Sequence, residues 1–375
     1  MATKQTRHTS LRGAATADGT ARYAERFAAR ASPDLYRPLG SDGLRVSSVG
    51  LGTYLGECDD EDDARYLVAM RKALASGINL LDTAINYRCQ RSERVIGRAV
   101  GEAVRAKQVK RDEVVICSKG GYIPLDGTAP ATREQYQAYL NKEYLQRGIM
   151  SPTDVVAGAH CLAPGYLADQ IARSRRNLGV ETIDLYYLHN PEQQLDVLPR
   201  DLFRVRLRQA FMLLEEKCAK GEIRRYGVAT WNGFRVPPDS KEHLDLQEVV
   251  ETAREAAEGQ HHFAAVQLPV NLALTEAVRA PTQNLTSGQA VSFLQAAAEL
   301  GIAVIASASL MQARLAAGLP PEVHEAIPGY KTDAQRAIAF VRSLPVITSA
   351  LVGMKSVAHV EENVAAGRAV HLESP

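Results

Sequence analysis

Beyond about residue 46, short apolar runs alternate with longer stretches in which apolar positions recur at helical spacing. The short runs lie at 46–51, 79–82, 114–118, 185–189, 225–229, 264–267, 303–306 and 349–352. Most are nearly continuous in hydrophobicity, the pattern of parallel strands covered on both faces. The helical stretches are 62–75, 92–105, 165–178, 202–220, 244–257, 290–300, 334–343 and a last one after Ser356. Gly221 and Gly301 sit just past two of them, where a left-handed cap is wanted. Eight strands alternating with helices predict a (β/α)8 TIM barrel. The alternative is an open doubly wound sheet, which usually carries a Gly-rich phosphate turn after its first strand. Here Gly50-Leu51-Gly52-Thr53-Tyr54-Leu55-Gly56 supplies GxG but not a GxGxxG that opens a helix.

Two segments depart from the repeat. Residues 1–33 read as an N-terminal extension before a barrel at 34–375, with a short helix over 19–31 that gathers Tyr23, Phe27 and Ala28 on one side. A hairpin turning at Ser41-Asp42-Gly43 follows. The second departure is an insert at about 121–163, after the third strand, where a βα loop usually needs only about 2–6 residues. Loops after barrel strands lie on the C-terminal face, so the insert is placed to shape a substrate pocket.

Composition narrows the class. The 375 residues are 46% hydrophobic, enough for one large core. With 44 Lys+Arg against 43 Asp+Glu, no basic face for nucleic acid is implied. The polar, basic N-terminus has no apolar signal core, and the most apolar later stretch, 301–319, is interrupted by Ser307, Ser309, Gln312 and Arg314. No membrane association is expected. Five scattered cysteines without metal spacing fit reduced thiols in a cytoplasm better than a disulfide framework.

Polar groups at strand ends are the first candidates for chemistry. Asp82 ends the second predicted strand, Tyr87 follows in its loop, and Lys119 and His189 end the next two. Singly, a strand-terminal Asp is often a cap and a loop Tyr is usually packing; on three successive strand ends they form a coherent set. His160 and Cys161, just before the helix near 165, read more simply as a loop histidine and a packed thiol than as metal ligands.

The motifs around these residues resemble the aldo-keto reductase family. DTAINYRCQRSERVIG is similar to the family signature, CSKGG and DLYYLHNP to its lysine and histidine strand ends, and KGEIRRYGVATWN to its fifth strand. The similarity runs from about Leu35 to Gly367. It implies hydride transfer between a nicotinamide and an aldehyde, ketone or sugar carbonyl, or the reverse on a hydroxyl. Tyr87 is then the proton donor, Lys119 lowers its pKa, Asp82 holds Lys119, and His189 orients the carbonyl oxygen. The family also includes channel-associated members, which leaves a nucleotide-binding sensor barrel as the alternative.

Cofactor contacts follow from the same resemblance. Gln267 corresponds to the glutamine that binds the carboxamide, and Thr230 or Asn232 replaces the usual Ser-Asn pair. Ser307 stands where a stacking tyrosine is common. LVGMKSVAHVEENVAAG is similar to the phosphate-binding segment, with Lys355 and Ser356 opening a helix and Glu362 and Asn363 further along. Thr53, Asp82 and Leu310 complete the expected contacts. A lysine at a helix N-terminus suits an adenosine 2′-phosphate, so NADP is preferred and NAD is the alternative, with a small carbonyl or hydroxyl compound as substrate.

Overall fold

The apolar runs form eight parallel strands closed into a barrel in a computed structural model that describes residues 10–28, 32–285 and 288–368. A hairpin of β1 (Tyr36–Pro38) and β2 (Arg45–Ser47) precedes β3 (Val49–Gly52), β4 (Leu80–Asp82), β5 (Val115–Gly120), β6 (Leu185–His189), β7 (Tyr226–Ala229) and β8 (Phe263–Pro269). A small antiparallel pair, β9 (Gln283–Asn284) and β10 (Ala290–Val291), stands outside the barrel, and β11 (Ala303–Ser307) and β12 (Ile347–Gly353) close it onto β3. The helices are α1 (Ala17–Ala28), α2 (Asp60–Ser76), α3 (Arg91–Arg105), α4 (Arg133–Leu140), α5 (Pro164–Leu178), α6 (Arg200–Ala219), α7 (Leu246–Ala256), α8 (Glu276–Arg279), α9 (Phe293–Glu299), α10 (Pro321–Ala326), α11 (Asp333–Ser343) and α12 (Val357–Arg368). Among them none is long and apolar enough to cross a membrane.

Several boundaries differ from the sequence expectation: the helix expected over 19–31 runs over 17–28, with 29–31 outside the described residues, and two other shifts have a visible reason. The strand expected over 46–51 is split at Ser48, whose N–H donates to Leu35 O at 2.7 Å and whose hydroxyl accepts from Arg342 Nε at 2.9 Å. The helix expected from 290 begins at Phe293, because Ala290 and Val291 pair with β9 and Ser292 caps the helix in a box with Gln295. The insert holds a helix of its own, α4.

Of the N-terminal extension expected over 1–33, the described stretch 10–28 packs on the barrel rather than standing off it. Tyr23 is fully buried, its hydroxyl donating to Leu74 O at 2.6 Å. Arg22 and Arg26 pair with Glu113, and Ala15 N–H donates to Asp184 Oδ1.

Period-two alternation decides what faces the barrel interior. Leu80, Val115, Cys117, Leu185, Tyr187, Ala265 and Ile305 form the inner cluster, while Leu81, Ile116, Tyr186, Leu188, Val266 and Val304 join the layer between strands and helices. Two positions beyond Leu80, Cys117, Tyr187, Ala265 and Ile305 come Asp82, Lys119, His189, Gln267 and Ser307. The last inward position of four strands, and the last but one of β8, is thus polar, and all five meet at one end. Gly227 permits this packing, since a Cβ there would lie 2.0 Å from Ala265 O and 3.1 Å from the Tyr187 ring.

Candidate active site

At the C-terminal end of the strands lies a cavity of about 680 Å³. Asp82, Tyr87 and His189 line it, with Lys119 fully buried beneath. Lys119 Nζ lies 2.5 Å from Asp82 Oδ1 and donates to Thr83 O at 2.8 Å. The second carboxylate oxygen accepts from Gln267 Nε2 at 2.8 Å, and Thr53 Oγ1 donates to the Asp82 carbonyl at 3.1 Å. Lys119 Nζ stands 4.9 Å from the Tyr87 ring centroid, and the Tyr87 and His189 rings are 5.7 Å apart, edge to face.

Burial governs the protonation of this cluster. Desolvation pushes Asp82 upward and Lys119 pulls it back; with two donors on its oxygens, ionisation of the pair is the favoured state. Desolvation works against the Lys119 ammonium, yet the Asp82 charge holds it above the ordinary lysine range. His189 is pushed well below the usual imidazole range, first by burial and then by Lys119 and His160, and is neutral. Its Nδ1 is buried without a partner. A neutral ring keeps one N–H, so placing it on Nε2 leaves a donor for the cavity. For Tyr87 the outcome reverses the expected sign: burial raises the phenol pKa by more than Lys119 lowers it.

The insert reaches the cavity through its first residues. Tyr122 lines it and sits edge-on to His189 at 4.9 Å, with Asn190 Nδ2 donating to its hydroxyl. His160 is buried behind this pair: Nε2 donates to His189 O at 2.7 Å, and Gln194 Nε2 donates to Nδ1 at 2.8 Å. Cys161 is packed in the core. The body of the insert lies elsewhere, with the Tyr144 ring tilted against that of Tyr166 of α5, centroids 5.6 Å apart. Among the described residues no group of His, Cys, Asp and Glu is placed to hold a metal.

Most of the expected cofactor positions share the cavity. Thr53, Thr230, Gln267, Ser307, Leu310 and Lys355 line it, and so do Glu362 and Asn363. Ser356 lies in an adjoining groove with Arg65, Lys355 and His359, where its hydroxyl accepts from His359 N–H. Asn232 is the exception. Its side chain turns to Glu242 at 2.7 Å, so Thr230 alone of the pair reaches the wall. Glu192, which carries no signal beyond following a strand end, fixes the backbone here. Its buried Oε1 accepts from Thr230 Oγ1 and from the N–H groups of Trp231 and Asn232, which fixes the turn after β7. Trp231 and Tyr54 stand half-exposed on the cavity wall.

The Aldo/keto reductase family model matches residues 48–319. That match spans every barrel strand but β12 and every residue from Thr53 to Leu310 just described. The chain belongs to the aldo/keto reductase family. It is 27% identical over 204 residues to 6-dehydroglucose reductase of Novosphingobium aromaticivorans, across 53% of this chain and 52% of the relative. It is 27% identical over 198 residues to NADH-specific methylglyoxal reductase of Escherichia coli, across 51% of each. The chain thus spans about half the length of these relatives. A solved aldo/keto reductase from Klebsiella pneumoniae, in complex with NADP and acetate, shares the fold with a TM-score of 0.58 at 22% identity, over 91% of this chain and 90% of that one.

The cavity of this family member suits a dinucleotide in its donor set. Gln267 offers an amide, Lys355 a cation, and Asn363 a buried Oδ1 that has no partner, all on the same cavity.

Proposed function

We propose that the chain is an NADP(H)-dependent oxidoreductase that interconverts an aldehyde, ketone or sugar carbonyl and its alcohol, with Tyr87 as proton donor. The observation that carries this reading is the convergence of Tyr87, Lys119, Asp82 and His189 on one cavity. The bound nicotinamide supplies or accepts the hydride. Gln267, tied to Asp82 through Nε2, has Oε1 to receive a carboxamide N–H. The Nε2–H of neutral His189 donates to the carbonyl oxygen, and the Tyr87 hydroxyl delivers the proton there as negative charge develops. Lys119 favours the phenolate left behind, and Asp82 keeps that ammonium in place. Tyr54, Tyr122 and Trp231 form an aromatic wall around the substrate position.

NADP(H) is proposed over NAD(H) on Lys355, Ser356, Arg65 and His359, three of them cationic or protonatable around a helix N-terminus. The NADP-bound Klebsiella protein supports this choice and the NADH-specific Escherichia coli relative opposes it. The test is loss of NADPH absorbance with a panel of small carbonyls, beside nucleotide-binding fluorescence and the Tyr87→Phe variant. Turnover abolished by that single hydroxyl supports the proposal. Tight nucleotide binding with no turnover of any compound would return the barrel to a sensor role.

A further inference from the structure

One pair of nucleophilic side chains takes no part in this chemistry. Cys58 and Cys89 lie 31 positions apart in sequence with their Sγ atoms 3.1 Å apart, and both are free thiols. A disulfide bond is about 2.05 Å long, so bonding needs an approach of roughly 1 Å. Cys58 sits in the loop between β3 and α2, immediately before the helix cap Asp59. Cys89 sits two residues beyond Tyr87.

The two loops are already fastened to each other. Arg88 Nε donates to Glu57 O at 2.7 Å, and Arg88 Nη2 donates to Asp59 O at 3.3 Å and to Asp63 Oδ1 at 2.6 Å. The residue before Cys89 thus grips the carbonyls on either side of Cys58. Arg88, Cys89 and Gln90 have φ of 47°, 52° and 67°, a left-handed run that side-chain-bearing residues rarely adopt. It persists because its surroundings over-determine it. Gly127 N–H donates to Cys89 O at 2.9 Å, and Gln90 Nε2 donates to Leu125 O at 3.0 Å. A turn held this firmly keeps the thiols facing each other.

We propose that Cys58 and Cys89 form a reversible disulfide that staples the β3–α2 loop to the Tyr87 turn, with a hydroperoxide as oxidant. The Cys58 thiolate attacks the peroxide, the O–O bond breaks, and the sulfur becomes a sulfenic acid as water or an alcohol leaves. Cys89 then attacks Cys58 Sγ, the S–O bond breaks, and the departing hydroxide takes the Cys89 proton as water. Two thiols lose two electrons and two protons, and the peroxide gains them. A dithiol reverses the bond by exchange. Cys58 is the attacking group because it is the more exposed; burial pushes the Cys89 thiol up to about 12. Tyr54 and Leu55, on the Cys58 loop, line the cavity, and the Tyr54 ring lies 5.1 Å from that of Tyr87. The staple therefore fixes the cavity mouth against the proton-donor turn.

The experiment treats the reduced full chain with stoichiometric hydrogen peroxide, counts thiols after denaturation and maps cross-linked peptides by mass spectrometry. Two of the five thiols should disappear, in one peptide pair holding Cys58 and Cys89, and dithiothreitol should restore them. The oxidised protein should melt several degrees above the reduced one. Cys58→Ser and Cys89→Ala, made separately, should each abolish both changes. Retention of all five thiols, loss of a pair that persists in Cys58→Ser, or a cross-link to another cysteine would overturn the proposal. No readout depends on turnover, so failure here is distinct from failure of the proposed activity.

Discussion

Two opposing influences meet at the Tyr87 hydroxyl. Burial raises its pKa and the Lys119 ammonium lowers it, with burial the larger. A phenol must be protonated to donate, so carbonyl reduction should hold through neutral pH and fall only as pH rises through the raised pKa. Tyr87→Phe keeps the ring and removes the proton, so kcat/KM for reduction should fall by ~10²–10⁴, the usual scale of general acid catalysis. Circular dichroism and nucleotide binding should stay unchanged; a kcat/KM within a few-fold of wild type would point to another donor, with His189 the first candidate. Lys119→Met removes the one cation that favours the phenolate. Reduction should weaken comparably, and the descending limb of its pH profile should move to higher pH.

A second prediction at this scale concerns stability. Burial lowers the His160 pKa to about 4, against about 6.5 in an unfolded chain. Between those values the unfolded state binds more protons than the folded one. The contribution is complete above about pH 6.5 and is lost as pH falls toward 4. At about 1.4 kcal/mol per unit, wild type should lose on the order of 2 kcal/mol from this group between pH 6.5 and 5. Urea titrations of wild type and His160→Gln at both pH values would show it as a shallower slope in the variant. Equal slopes would mean that another buried group, with His189 foremost, carries the pH dependence.

At the level of elements, legibility follows periodicity. A strand displays its chemistry every second residue, so Asp82, Lys119, His189 and Gln267 could be placed on one barrel end from the apolar runs that precede them. Where the chain leaves its strand, that rule lapses. Thr230 and Asn232 are equally polar after β7, and which one faces the cavity depends on carboxylates elsewhere in the chain: Glu192, from the loop after β6, holds the Thr230 hydroxyl, and Glu242 holds the Asn232 amide. The insert teaches the same lesson. Its position after β5 suggested a pocket wall, but the aromatic residues Tyr139, Tyr144 and Tyr166 anchor its body to itself and to α5. Only Tyr122 touches the cavity, with His160 in support. Tyr122→Ala should therefore raise KM for carbonyls with little change in nucleotide affinity. Tyr144→Ala, which empties a fully buried site, should cost about 3–5 kcal/mol of stability, on the scale of other buried aromatic truncations. Steady-state kinetics and denaturant unfolding of the two variants separate the roles. A Tyr144→Ala protein with altered carbonyl preference but wild-type stability would restore the insert to the pocket.

Closure of the barrel sets what the whole molecule can do with its C-terminus. β12 pairs with β3, so the segment after β12 lies beside the first barrel helix although nearly the full chain separates them. Lys355 Nζ reaches Asp62 Oδ2 at 3.0 Å, and Arg342 ties α12 down through the Ala366 and Gly367 carbonyls. Lys355 is thus held where α2 meets the segment after β12, partly exposed and beside Ser356, Arg65 and His359. Asp62 keeps the Glu57 N–H as a donor and Arg65 within 3.6 Å, so removing Lys355 does not strand a bare carboxylate. Lys355→Ala should accordingly leave the fold intact. If this cation reads an adenosine 2′-phosphate, NADPH binding should weaken by about 1–3 kcal/mol, the range for losing a charge-assisted hydrogen bond. NADH, which lacks that phosphate, should bind as before. Fluorescence titration of wild type and variant with both nucleotides decides the matter. Equal losses would show that Lys355 serves the cavity's shape through Asp62 instead, and a wild-type preference for NADH would remove the 2′-phosphate from the argument altogether.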